Sequence, residues 1–84
     1  MKLWLISQTE NMDYDTYDSA VVTAETEAIA RCMSPAPWDE GKVMTQEQWE
    51  ERGWCSSSAR VSVKYLGAAE GLPQSVICAS YNAG

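Results

Sequence analysis

The chain has 84 residues, 45% of them apolar, a net charge of −6 and no histidine. That length allows one domain, residues 1–84, and excludes two; the apolar share suffices for a small core and is too high for a disordered chain. The acidic balance argues against general nucleic-acid binding, which draws on Lys and Arg at phosphates, and the missing histidine removes the commonest catalytic base and metal ligand.

Lys2 to Ser7 reads as a strand with apolar residues on both faces, Leu3 and Leu5 on one and Trp4 and Ile6 on the other. Such a strand is expected in the centre of its sheet. Gln8 to Tyr17 is polar and acidic and reads as a projecting hairpin connection into a second strand, Ser19 to Thr23, carrying Val21 and Val22. A helix follows, with Thr26 as its N-cap, or Thr23 in its place, and Ile29, Cys32 and Met33 as the buried stripe. Glu25 and Glu27 sit at the end the helix dipole favours for acids, and Arg31 near the end it favours for bases. Pro35 and Pro37 stop the helix, and Trp38 to Lys42 is loop.

Thr45-Gln46-Glu47-Gln48 has capping-box spacing, so a short helix is predicted from Gln46 to Arg52, closed by Gly53 and anchored by Trp49. Ser56 to Ser58 is a linker. Arg60 to Leu66 alternates cleanly, with Val61, Val63 and Tyr65 on one side and Arg60, Ser62 and Lys64 on the other. Gly67 to Pro73 is a turn region. Ser75 to Tyr81 is the last strand, apolar on both faces through Val76, Ile77, Cys78 and Ala79. The order β-β-α-(α)-β-β predicts an α+β domain: one four-stranded, mainly antiparallel sheet with a helix on one face. Placing the two doubly apolar strands, first and last, side by side gives the strand order 2-1-4-3.

The four-residue apolar run near the N-terminus is shorter than a signal-peptide core of roughly 7–15 residues. No stretch approaches the ~20 apolar residues of a membrane span. A cytoplasmic protein with no membrane attachment is expected. Cys32, Cys55 and Cys78 are odd in number and contain no Cys-x-x-Cys, so at least one thiol stays free or pairs between chains. Cys32 and Cys78 lie in apolar patterns and read as core.

Charge is the most uneven feature. Residues 3 to 30 hold Glu10, Asp13, Asp15, Asp18, Glu25 and Glu27 and no Lys or Arg, so the whole excess of negative charge sits in the first hairpin and the start of the helix. Asp13-Tyr14-Asp15-Thr16-Tyr17-Asp18 lies within it. One reading is a solvated loop. The other is a docking surface for a basic site, where carboxylates imitate phosphates and Tyr14 and Tyr17 add anchoring area. A calcium loop opening at Asp13 fails at its sixth and twelfth positions, which are Asp18 and Ala24 rather than Gly and Glu.

All aromatics carry a polar handle: four Trp, four Tyr and no Phe. Trp4, Trp49 and Tyr65 fit the core pattern. Trp38 and Trp54 have no periodicity to bury them; each either caps the small core or offers an exposed face to a protein or a nucleotide. Catalytic signatures are missing: Ser56-Ser57-Ser58 has no nucleophile elbow and no histidine partner, and no glycine-rich phosphate loop occurs. No cofactor and no metal are expected, and the protein reads as a non-enzyme.

Three segments carry a resemblance: Met1-Lys2-Leu3-Trp4-Leu5; Tyr14 through Val22 with Ala24-Glu25-Thr26-Glu27 and Ala30-Arg31; and Val76 through Gly84. Together they resemble a family of small accessory proteins of tailed bacteriophages and prophages. The resemblance covers both ends and the first helix; Ser34 to Ser58 is the variable part. It implies an origin in an infected bacterial host, not a mechanism; small phage accessory proteins often act by binding and disabling a host protein or a host signal. The expectation is a non-enzymatic anti-defence protein, anti-CRISPR-like, binding a host protein with a basic surface through Glu10, Asp13, Tyr14, Asp15, Tyr17, Asp18, Trp38 and Trp54. Direct nucleic-acid binding is not expected. Two alternatives stand beside it. One is an oligomeric sponge for a nucleotide immune signal, with Arg60 or Lys64 on phosphates and Trp38 or Trp54 stacking. The other is a regulatory or structural phage component. A homo-oligomer is left open.

Overall fold

The computed structural model describes residues 1–11 and 16–82, without the side chains of Arg52 and Asn82. Four strands, β1 (Lys2–Ser7), β2 (Thr16–Ala24), β3 (Ser62–Ala68) and β4 (Ser75–Asn82), form one sheet, and α1 (Glu27–Cys32) and α2 (Gln46–Arg52) lie between the second and third strands. The α+β architecture is as expected, and β1 and both helices start and stop where the local signals put them. Thr26 caps α1 by accepting from the Ile29 N–H. The Thr45 box is complete: its hydroxyl accepts from the Gln48 N–H, and the Gln48 side chain accepts from the Thr45 N–H.

The strand order is a correction. It is β3-β1-β2-β4 with every pair antiparallel, not 2-1-4-3. β1 is central as expected, but its partner in the centre is β2, and β4 is an edge. The apolar content of β4 misled because only one of its faces is covered: Val76 and Ala79 pack on the core, while Ile77 and Cys78 are exposed. β2, polar in composition, is the strand sandwiched between neighbours, and its Ala20, Val22, Thr23 and Ala24 are all buried. Cys78 is therefore not core; Cys55 is the buried cysteine, and Cys32 is half-buried. Tyr65 is more exposed than its alternation suggested. It sits on the edge strand β3 and closes over Trp4 edge-to-face, with ring centroids 5.4 Å apart.

β3 and β4 occupy opposite edges, so the chain must cross the end of the hairpin between them. Three strand spacings are roughly 14 Å, and the connection 69–74 reaches about 20 Å when extended. The crossing is pinned on the way: the Ala69 N–H donates to the Met1 carbonyl at 3.1 Å. Thr23, fully buried at the end of β2, donates to the Pro73 carbonyl at 2.5 Å and accepts from the Ser75 N–H at 2.8 Å.

The core lies on one face of the sheet. Trp4, Ile6, Ala20, Val22, Ala24 and Val61 meet Ala30, Met33, Trp49, Trp54 and Cys55 there. Arg31 ties α1 to the approach of β3, donating to the Val61 carbonyl while pairing with Glu27 at 2.8 Å. The opposite face carries half-buried Leu3, Leu5 and Val21. Register sets Lys64, Leu5, Val21 and Cys78 in one cross-strand row, and Ser62, Ser7, Ser19 and Ser80 in the next.

Candidate functional site

The segment after α1 builds the most distinctive surface. Met33 bridges to Val43, and the Ser34 N–H donates to the Lys42 carbonyl at 3.1 Å, so residues 33–44 close on themselves. At the tip, Pro37–Asp39 makes one 3-10 turn, with proline fixing its first residue. The Ser34 hydroxyl is buried, donates to the Asp39 carboxylate and accepts from the Ala36 N–H at 3.2 Å. The turn is thereby held from inside. Gly41 docks it on the sheet: its carbonyl accepts from the Gln74 side chain at 2.6 Å, and a Cβ on Gly41 would lie 2.6 Å from the Ser75 Cα. This fixed turn displays Trp38 with 71% of its surface exposed.

Trp38 is not isolated. Tyr17, at the start of β2, has its ring centroid 6.1 Å from Trp38 at a tilt of 58°. Tyr81, paired with Tyr17 in register on β4, lies 4.8 Å from it at 57°. The tilted rings meet as walls rather than as a stack. They border a cavity of about 270 Å³ whose other sides come from Asn11, Ser34, Asp39, Met44 and Trp54 among others. None of its described lining residues is Lys or Arg. The Tyr17 phenol is pushed up from its ordinary pKa, first by burial and then by the neighbouring Tyr81 hydroxyl and Asp39 carboxylate. It stays protonated, and Asp39 is the one Asp or Glu among the cavity's described lining residues.

The predicted site residues divide. Tyr17 and Trp38 are brought together. Trp54 is corrected as a surface anchor: it is 5% exposed and forms an inner wall of the same cavity. Gly53 explains this, because the chain folds back so tightly that a Cβ there would meet the Trp49 carbonyl oxygen at 2.6 Å and the Cys55 one at 2.8 Å. The Trp54 indole N–H is buried with no partner among the described residues. Asp13, Tyr14 and Asp15 lie outside the described residues. Asp18 is half-buried and accepts from the Ser19 hydroxyl at 3.3 Å.

Glu10 points elsewhere. It accepts from the Ser56 N–H at 2.8 Å and the Ser56 hydroxyl at 2.9 Å, and pairs with Arg60 at 3.5 Å. These contacts hold its carboxyl below the usual range, the Ser56 hydrogen bonds most. Its charge is thus met by the same molecule, as is that of Glu27. Arg60, engaged with Glu10, and Lys64, in the row with Leu5 on the opposite sheet face, do not line the cavity with Trp38 and Trp54. The phosphate-and-stacking set of the sponge reading is not assembled within one protomer.

Sequence reasoning missed Tyr81, Asp39 and the supporting Gln8. The Gln8 side chain is buried, donating to the Asn11 carbonyl at 2.7 Å and the Tyr17 carbonyl at 3.0 Å and accepting from the Asn11 N–H at 2.7 Å. It fastens the base of the acidic connection. Only Asp39 had a local signal: in Pro-Ala-Pro-Trp-Asp, the prolines fix a turn that shows the last two residues together. Among the described residues, no group of three or more His, Cys, Asp or Glu is placed to hold a metal, and no helix is long and apolar enough to cross a membrane. The chain matches no family model, no curated protein and no solved structure.

Proposed function

We propose that the protein is a non-enzymatic, phage-encoded anti-defence protein of the anti-CRISPR kind. It acts in the host cytoplasm, docking on the basic surface of a host defence or nucleic-acid-handling protein. The observation that carries this reading is the exposed Trp38 beside Tyr17 and Tyr81, over a cavity with Asp39 and no described basic lining. Aromatic residues with polar handles are the commonest energetic anchors of protein interfaces. A protein of net charge −6 is steered toward cationic surfaces and away from phosphates. The phage resemblance of the sequence supplies the setting. The acidic contribution comes from Asp18, Asp39 and the 13–15 segment; Glu10 is assigned to holding the fold.

The test is phage plating on cells that carry nucleic-acid-targeting defence systems, with and without the protein. Plating should rise with the wild-type chain and fall back with Trp38→Ala. The Asp13, Asp15 and Asp18 to Asn triple variant should bind the effector more weakly and with less salt dependence. A wild-type chain that restores plating against none of these systems overturns the reading.

A further inference from the structure

We infer that the cavity walled by Tyr17, Trp38, Trp54 and Tyr81 holds a proline-bearing extended segment of the partner protein, with a main-chain carbonyl of that segment accepting from the Trp54 indole N–H. The inference rests on the docking reading above and names what the site takes. Hydrogen-bond accounting supplies the first constraint. Among the described residues, the Trp54 indole nitrogen is the one buried side-chain N or O atom with no partner. An unmet buried donor is costly, so such a group points to something that completes it. Trp54 is 5% exposed and lines the cavity. The polar side chains around it are engaged. Ser34 donates to Asp39 and accepts from the Ala36 N–H, and Asn11, Thr16, Asp39 and Tyr81 have interactions of their own. The cavity thus offers an unused donor beside acceptors already in use.

An occupant matched to these walls has an acceptor and brings no donor. An Asn or Gln side chain brings two N–H bonds with its carbonyl, and an ordinary peptide unit brings one. The peptide unit before a proline brings a carbonyl and none. Ring geometry selects the same way. Trp38 and Tyr81 are tilted against Tyr17 by 58° and 57°, which leaves slots between ring faces rather than a flat stack. Proline-rich segments dock in aromatic-lined grooves, and their preformed extended helix carries little ordering cost. The cavity is about 270 Å³, below the roughly 300–1,000 Å³ of pockets that enclose drug-sized ligands. That scale suits one or two residues of a passing chain. Trp38 is the adjustable wall: its turn is fixed, but 71% of its surface is in solvent. It has little packing to lose in turning aside to admit the carbonyl, and closing over the proline would cover its ring.

The test uses the full chain and three blocked tetrapeptides: acetyl-alanyl-prolyl-prolyl-alanine amide, and its counterparts with leucine or alanine in place of both prolines. Nuclear magnetic resonance follows the Trp54 indole N–H. The proline peptide should move that proton downfield, the direction of a new hydrogen bond, and shift the Trp38, Tyr17 and Tyr81 rings in the same titration. It should bind roughly tenfold tighter than the leucine and alanine peptides, the worth of one satisfied buried donor. Trp38→Ala should weaken binding by roughly tenfold as well, and Trp38→Phe, which retains a ring and guards against a merely structural effect, should keep most of it. A Trp54 proton that stays in place while the peptide binds, equal binding of the leucine peptide, shifts away from these rings, or no binding overturns the inference. A Trp54 proton already downfield without peptide and unmoved by it also overturns it, since a buried water would then be the acceptor. The two failures are separable: no proline-peptide binding with intact restoration of plating removes this anchor alone, and binding without restoration removes the anti-defence reading alone.

Discussion

Glu10 shows how one side chain trades a surface role for a structural one. It lies in the acid-rich third of the chain, where a docking role was the natural expectation. The fold instead turns it onto Ser56 and Arg60, linking the start of the acidic connection to the approach of β3. Two hydrogen bonds to the charged form and a nearby guanidinium lower its pKa in the folded state. The contribution is therefore complete above the ordinary glutamate range and fades as pH falls from that range through the lowered folded value. Glu10→Gln should melt lower than wild type at neutral pH, and the gap should close in acid below the ordinary glutamate range. Thermal melts of both chains across that window check it; parallel curves would mean that the clamp does not form in solution. The group is exposed, so the effect is small. Cys55 makes a similar point about environment: burial pushes its thiol pKa up, whereas Cys78 stands exposed on an edge strand.

At the scale of elements, the helices were legible because their signals are local. The Thr45 box and the Thr26 cap each need only a hydroxyl at the right spacing from the following N–H groups, and both formed as read. The position of β4 was not legible. Alternation tells which residues share a face, not whether that face is covered, and the covering is decided by the long crossing from β3. Trp38 and Trp54 were undecidable for the same reason: neither lies in a periodic element, and their fates are set by Pro37 on one side and the tight fold-back at Gly53 on the other. The turn carrying Trp38 depends on a contact no pattern reveals, the seating of Gly41 on β4. Gly41 has φ +77°, and its Cβ would approach the Gln74 carbonyl oxygen and the Ser75 nitrogen at 2.8 Å each, all backbone that cannot rotate away. Gly71 has a similar φ of +79° with nothing within 4 Å. Gly71→Ala should therefore cost only the dihedral penalty, about 1–2 kcal/mol. Gly41→Ala should cost about 1–3 kcal/mol more through the clash and shift the Trp38 resonance. Chemical denaturation of both variants checks the difference, and equal losses would mean that the turn is not seated on the sheet.

For the whole molecule, the governing contrast is between a strongly charged chain and an uncharged edge. β3 exposes one edge of the sheet and carries Lys64, a residue that discourages further strand pairing. β4 forms the other edge, Ser-Val-Ile-Cys-Ala-Ser-Tyr-Asn, with no charge and no proline, and the Gly41 turn covers it at Ser75. Its pairing with β2 is irregular at two places: at Ile77, where Cys78 pairs with Val21 and Val76 with Val22, and opposite Asp18, where Tyr81 pairs with Tyr17 and Ser80 with Ser19. Backbone groups along that edge are ready to pair with another strand, and exposed Ile77 and Tyr81 add apolar area to the contact. Repulsion between molecules of charge −6 opposes such a contact at neutral pH. That repulsion disappears near the isoelectric point of about 4.3, while the edge itself carries no Asp, Glu, Lys or Arg. Self-association should therefore rise steeply as pH is lowered toward that point, and should be weakest at low salt near neutrality, where repulsion is least screened. Ile77→Lys should suppress the acid-induced association, since it places a charge on the free edge at a site where the native side chain is half in solvent. Light scattering of wild type and variant from pH 7 down to the isoelectric point reads this directly. Association of equal extent in the variant would place the contact elsewhere, on the Leu3, Leu5 and Val21 face of the sheet rather than on β4.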